Sequence, residues 1–304
     1  MSGEATGHLM CMRVAITGAS RTIGSVVVQG LRVEDAYGLA CLARRRSEGP
    51  DSRGVDWRSV DFSTVACQDT LVGASTGAVV HSAWGFQLPH DPACLTELGI
   101  GGIRRMLRAV AETGVPHLVH KSSFGASSPK KDNRGVEQSW PAKGMPSSWH
   151  SRHKPVAERL LDQHAASGTG ALVTRPWPGF AGQGGAGLLP ALVCSVRPRT
   201  QQDARPAAGP AEGPRADYRN GSPDDVAVAL RQRVADPFHL TADTPVSAAV
   251  IADALGARPV HVPLAAVRAV MPAAWHARLQ QFETGWPGMA FRTARTRLPG
   301  WSGA

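Results

Sequence analysis

Short apolar runs recur from Val14 to Pro176, each closed by glycine or polar residues, and most are followed by a stretch whose apolar positions return every three or four residues. Brief apolar runs bounded by turn residues read as strands buried on both faces, and the longer periodic stretches read as helices. Val14–Ile16 is the first strand, and Ile23, Val26, Val27 and Leu31 mark the helix behind it. Gly38–Ala43, Trp57–Val60 and Gly77–Trp84 follow as strands, with a helix expected over 63–71. A long helix from about Pro92 to Thr113 turns Leu95, Leu98, Ile103, Leu107 and Val110 inward. Leu118–His120 is the fifth strand. A helix opening at Trp149 carries Val156, Leu160 and Leu161 on one side, and Ala171–Pro176 is the sixth strand. Six strands alternating with helices predict an α/β fold on a doubly wound parallel sheet.

The pattern fades after Pro176. Residues 179–187 are mostly Gly and Ala, and 197–223 is rich in Pro, Arg, Gly and Ala with almost no apolar periodicity. That composition predicts a mobile loop beside a substrate site, or simple disorder. A helix resumes at Asp224, a short strand at Pro237–Leu240 and a further helix at Val246–Leu255. The chain therefore divides into a Rossmann-type doubly wound domain over 12–178, completed by about 224–243, and a smaller lobe over 179–223 and 244–304; the first is expected to bind a dinucleotide and the second a substrate, on the motifs given below.

Composition narrows the function without naming it. At 304 residues, 42% hydrophobic and 19% charged, the chain reads as a soluble globular protein. The net charge of +9 comes from arginines spread along the whole chain. No basic helix or interleaved aromatic platform gathers them, so no nucleic-acid partner is expected. No apolar stretch is long enough to span a bilayer, residues 1–11 read as an unstructured leader, and a cytoplasmic location is expected. Five scattered cysteines without metal spacing suit free thiols in a reducing compartment, and no metal site is expected. The partner implied is a small-molecule substrate, and a homodimer is compatible with all of this.

The chemistry starts at Thr17-Gly18-Ala19-Ser20-Arg21-Thr22-Ile23-Gly24, where a strand breaks into a glycine turn and a helix follows at once. This arrangement aims backbone N–H groups and a positive helix end at a pyrophosphate. A further glycine is expected at 21 or 22, but Arg21 and Thr22 stand there. Arg21 and, at the end of the second strand, Arg44 suit the extra phosphate of NADP. Asp61, followed by Phe62, is placed to accept from an adenine amino group or to cap the next helix. Ser82, Ala83 and Trp84 leave the fourth strand in a loop whose small residues let a cofactor lie across the strand ends.

These residues, with Gly114-Val115-Pro116-His117, Ser122-Ser123, Ser151-Arg152-His153-Lys154 and Phe238-His239-Leu240, resemble the short-chain dehydrogenase/reductase superfamily in its extended epimerase/dehydratase branch. The likeness covers nearly the whole chain and is more specific for fold than for reaction. It implies a catalytic Ser, Tyr and Lys, the last two spaced Tyr-x-x-x-Lys so that both lie on one helix face. Ser123 matches the serine and Lys154 the lysine, which in the family also holds the nicotinamide ribose. The tyrosine position is His150, and a helix-borne relay asparagine aligns with Gly99. Cofactor contacts carried over are Thr17, Gly18, Ser20, Arg21, Thr22, Ile23, Gly24, Arg44, Asp61, Phe62, Ser82, Ala83, Trp84, Lys154 and Pro176.

Three readings follow. The first is NADP(H)-dependent carbonyl–alcohol oxidoreduction, with His150 as proton donor, NAD as the lesser cofactor and a cofactor-free site as the last option. The second is a non-redox isomerase, dehydratase or cyclase using His150 and Ser123, with the cofactor structural or absent. The third is a non-catalytic scaffold. Trp84, Phe86, Trp149 and Trp177 are candidates to line a pocket for a hydrophobic or aromatic metabolite. A metal pair at His150 and His153 lacks acidic or thiol partners.

Overall fold

The computed structural model describes residues 11–45, 54–61, 76–84, 91–128, 139–144, 146, 149–168, 170–178, 197–198, 223–240 and 257–258. Strand β1 (Met12–Thr17) sets the plan. Its Val14 and Ile16 pack on one side of the sheet and Ala15 on the other, all without exposure. Side chains alternate along a strand, so burial of both sets requires helices on both faces.

Helix α1 (Thr22–Leu31) and helix α5 (Pro223–Gln232) cover the first face, burying Val27, Val28 and Leu31 against Val226, Ala227 and Leu230. The second face lies under α3 (Gly102–Thr113) and α4 (Trp149–Ala166), whose Ile103, Met106, Leu107, Val110, Ala157 and Leu161 meet Ala15, Leu42, Val79 and Leu118. Fully burying one such aliphatic side chain stabilises the fold by about 1.5–3 kcal/mol.

The remaining strands are β2 (Tyr37–Ala43), β3 (Asp56–Ser59), β4 (Ala78–His81), β5 (His117–His120), β6 (Leu172–Pro178) and β8 (Asp236–Leu240). The sheet runs β3-β2-β1-β4-β5-β6-β8, every pair parallel. The expected doubly wound architecture is therefore present, and Pro237–Leu240 joins it as a seventh strand. Strand order reverses between β1 and β4, which opens a crevice at their carboxyl ends.

Between Pro92 and Thr113 the chain is not one α-helix. Helix α2 (Pro92–Thr96), capped by Asp91 Oδ1 accepting from Ala93 and Cys94 N–H at 2.8 and 3.2 Å, runs into a π turn (Glu97–Gly101) before α3. The wider turn shifts the helix phase, so Leu98 is only half-buried and Gly99 is buried instead. Strand β7 (Arg197–Pro198) pairs antiparallel with β9 (Ala257–Arg258), so the first two residues of the expected loop 197–223 are strand. The expected helices over 63–71 and 246–255 lie outside the described residues, as do 199–222.

Candidate active site

The glycine turn is shaped by two close approaches. Gly18 has φ +67°, and a Cβ on it would stand 2.8 Å from Ala83 N. A Cβ on Gly24 would stand 2.2 Å from Gly18 O, so only glycine lets α1 reach the turn. Arg21, where the pattern calls for another glycine, is extended at φ −98° and ψ 165°. An L side chain adopts that conformation without strain, and the turn keeps its shape through Arg21 N–H donating to Gly18 O at 2.9 Å. Arg21 is the N-cap of α1 but makes no capping side-chain bond, which leaves the helix end to a ligand anion. The residues fit a dinucleotide pyrophosphate.

Other expected cofactor residues gather around this turn. Thr17 is fully buried, its Oγ1 accepting from Ala83 N–H at 3.2 Å and lying 2.8 Å from His81 Nδ1, and so ties β1 to β4. Ser82, Ala83 and Ile23 are half-buried, Asp61 follows β3, and Pro176 is buried with its carbonyl accepting from Ser122 N–H at 3.0 Å. Ser20, Arg21 and Arg44 are exposed. Phe62, Phe86 and the side chains of Thr22 and Trp177 lie outside the described residues.

The catalytic candidates converge. Behind β5 a short 3-10 turn (Phe124–Ala126) brings Gly125 N–H to donate to Ser123 Oγ at 3.0 Å. Ser151 Oγ donates to Gly125 O, which bolts this turn to the start of α4. A Cβ on Gly125 would lie 3.3 Å from both Ser123 Oγ and His150 Nε2, so both groups flank one point. His153 turns to other partners, its Nε2 lying 3.2 Å from Thr96 Oγ1 and its ring tilted at 48° to Trp149, 5.7 Å between centroids. Trp149 also receives the Arg152 guanidinium, 4.8 Å above its ring.

Lys154, one turn beyond His150, points into the interior. Its Nζ donates to Lys121 O at 3.1 Å and lies 3.6 Å from the centroid of the Trp84 ring. Burial pushes its pKa down to about 7, with the Glu158 carboxylate opposing. Trp84 also meets His120 and His150 edge-on, at 6.2 and 6.0 Å between centroids.

Beneath the lysine lies a network that the sequence reading missed. Ser122 Oγ donates to Glu158 Oε1, and Arg175 NH1 reaches Glu158 Oε2 at 3.3 Å and Asp162 Oδ1 at 2.5 Å. Burial raises the Glu158 pKa, while the Ser122 hydrogen bond, Arg175 and Lys154 pull it back. One signal stood in the sequence: Glu158 follows Lys154 by four residues on one helix. His81 and His120 stack at 5.3 Å at the ends of β4 and β5, burial holding His81 down to about 3 and His120 well below its ordinary value.

The model of a family described as the NAD dependent epimerase/dehydratase family matches residues 14–199. No protein of curated function matches the sequence significantly. Among solved structures, the chain is similar to a Thermus thermophilus UDP-glucose 4-epimerase in complex with NAD, at 22% identity and TM-score 0.59, covering 82% of this chain and 85% of that one. A Brucella ovis UDP-glucose 4-epimerase in complex with NAD matches at 17% identity and TM-score 0.60, with the same coverage. MoeE5 in complex with UDP-glucuronic acid and NAD matches at 20% identity and TM-score 0.58, covering 81% and 83%.

These matches correct two expectations. NADP(H), drawn from Arg21 and Arg44, is overturned by the NAD named in all three structures and in the family description. Both guanidinium groups sit on exposed positions, where charge alone does not signal a phosphate. Oxidoreduction of a hydrophobic or aromatic metabolite falls with it, since those structures are of nucleotide-sugar proteins. The physical basis of that expectation is also different from what was supposed: Trp84 faces a lysine ammonium and Trp149 an arginine.

Proposed function

We propose that this chain, which belongs to the NAD dependent epimerase/dehydratase family, binds NAD and converts a nucleotide-sugar-like substrate with no net redox change. One observation carries the reading: Ser123 Oγ and His150 Nε2 flank a single point beside Gly125, one helical turn from Lys154. A hydroxyl there holds a substrate oxygen, and an imidazole beside it takes or returns that oxygen's proton. The Gly18–Gly24 turn and the N-terminus of α1 hold the pyrophosphate. NAD held there would supply reversible hydride acceptance, the chemistry that epimerisation of a carbinol carbon, or dehydration beside one, needs at constant oxidation state. The nucleotide-sugar class is supported by the likeness to UDP-glucose 4-epimerases and to MoeE5.

The test is incubation of the purified protein with NAD and a panel of UDP-hexoses and UDP-uronic acids, reading products by NMR and reduced nicotinamide by absorbance. Product is expected without accumulation of NADH. His150→Ala is expected to slow turnover by about 10²-fold or more while the Kd for NAD stays within about twofold. NADH rising in step with product would defeat the non-redox reading, and full activity in His150→Ala would remove His150 from the chemistry.

A further inference from the structure

Lys154 is 2% exposed, and its ammonium faces an unusual set of neighbours. Lys121 O accepts from it at 3.1 Å, and the face of the Trp84 indole covers it at 3.6 Å. A cation this close to an aromatic face is held by the ring's quadrupole, most strongly where water is excluded. Trp84 reaches that position because the chain makes room for it. Gly99, buried in the π turn, would press a Cβ to 3.3 Å from Trp84 Cζ2 and 3.5 Å from Cε2. A π turn inserted in an α-helix is a recurrent mark of a functional site, and here it swings the residue lacking a side chain beneath the indole.

We propose that Trp84 is the positioning residue for Lys154, and that Gly99 is the seat that lets its indole cover the ammonium. The proposal rests on the functional reading above only in taking Lys154 as a working residue of the site. Other charged or titratable groups lie close by: Glu158 on the lysine's own helix, His150 on that helix against the same indole, His81 on β4, His120 at the end of β5, and Arg175 on β6, paired with Glu158. Burial drives Lys154 toward its neutral form and Glu158 opposes that. The indole face adds to the Glu158 side, so its removal makes the lysine lose its proton at lower pH.

The test reads the lysine directly and needs no substrate. The chain has five lysines, Lys121, Lys130, Lys131, Lys143 and Lys154, so a lysine-labelled sample followed by NMR against pH resolves them, and Lys154→Arg assigns the signal. Trp84→Leu is expected to lower the Lys154 midpoint by roughly one pH unit. Trp84→Phe, which keeps a π face, is expected to hold it within about 0.3 of the wild type. Gly99→Ala, which crowds the indole, shifts it in the same direction as Trp84→Leu and adds nothing in the Trp84→Leu background. An unmoved midpoint in Trp84→Leu, or equal shifts for Leu and Phe, overturns the proposal. Should Trp84→Leu fail to fold, the Gly99→Ala shift decides alone, its absence counting against the proposal. Failure of the UDP-sugar assay leaves this readout untouched.

Discussion

At the scale of single residues, Gly24 has almost no freedom. An added Cβ would meet the backbone oxygen of Gly18 at 2.2 Å, and neither atom belongs to a side chain that can turn aside. Gly24→Ala is therefore expected to cost about 2 kcal/mol or more of stability in urea unfolding, with the phosphate turn pushed open. A variant as stable as wild type would show that the turn has room to spare. Both glycines were legible in the sequence because a strand, a turn and a helix within one short run leave little choice of geometry. Of the two positions where a further glycine was expected, Arg21 sits at a negative φ that any side chain accepts, so its backbone is unstrained. Trp84 was not legible in the same way. Its neighbours come from three other parts of the chain, Gly99 from the π turn, His120 from the end of β5, and His150 and Lys154 from α4, and no local spacing ties them to Trp84.

Among the elements, β5 (His117–His120) is unusual in burying two histidines in four residues. Thr174 Oγ1 donates to Val234 O, so at 2.8 Å it accepts from His117 Nε2–H, and β5, β6 and the lead-in to β8 are tied together. Burial, with Arg233 nearby, holds His117 down to about 4, and burial holds His81 down to about 3. Both values lie below the ordinary 6.5, so between them and 6.5 the unfolded chain binds protons that the native chain refuses. Stability is thus lost as pH falls below about 6.5, by at most ~1.4 kcal/mol per pH unit for each histidine. Lys154 works in the same direction at higher pH: its folded value of about 7 lies below 10.5, so stability rises as pH climbs from 7. Urea midpoints measured from pH 5 to 9 are expected to rise with pH, and His117→Gln is expected to flatten the acid side. A flat profile would contradict the burial assigned to these groups. The sequence showed β5 as an apolar run and the helix from Pro92 as continuous, because periodicity averages over one buried polar group or one π turn.

Over the whole molecule, the strand order β3-β2-β1-β4-β5-β6-β8 places the glycine turn, the Trp84 loop and the Ser123 turn along one edge of the sheet. The doubly wound sheet followed from alternating short apolar runs and periodic helices, and the family from the motifs that carry the resemblance, but neither signal read cofactor or substrate. Arg21 and Arg44 misled because exposed charge is a weak signal beside the shape of the crevice. Calorimetric titration of the purified protein with NAD and with NADP tests the reading most directly. NAD is expected to bind in the micromolar range, NADP more weakly, and Gly24→Ala to abolish the NAD signal. Tighter binding of NADP, or no binding of NAD by the folded wild type, would contradict it.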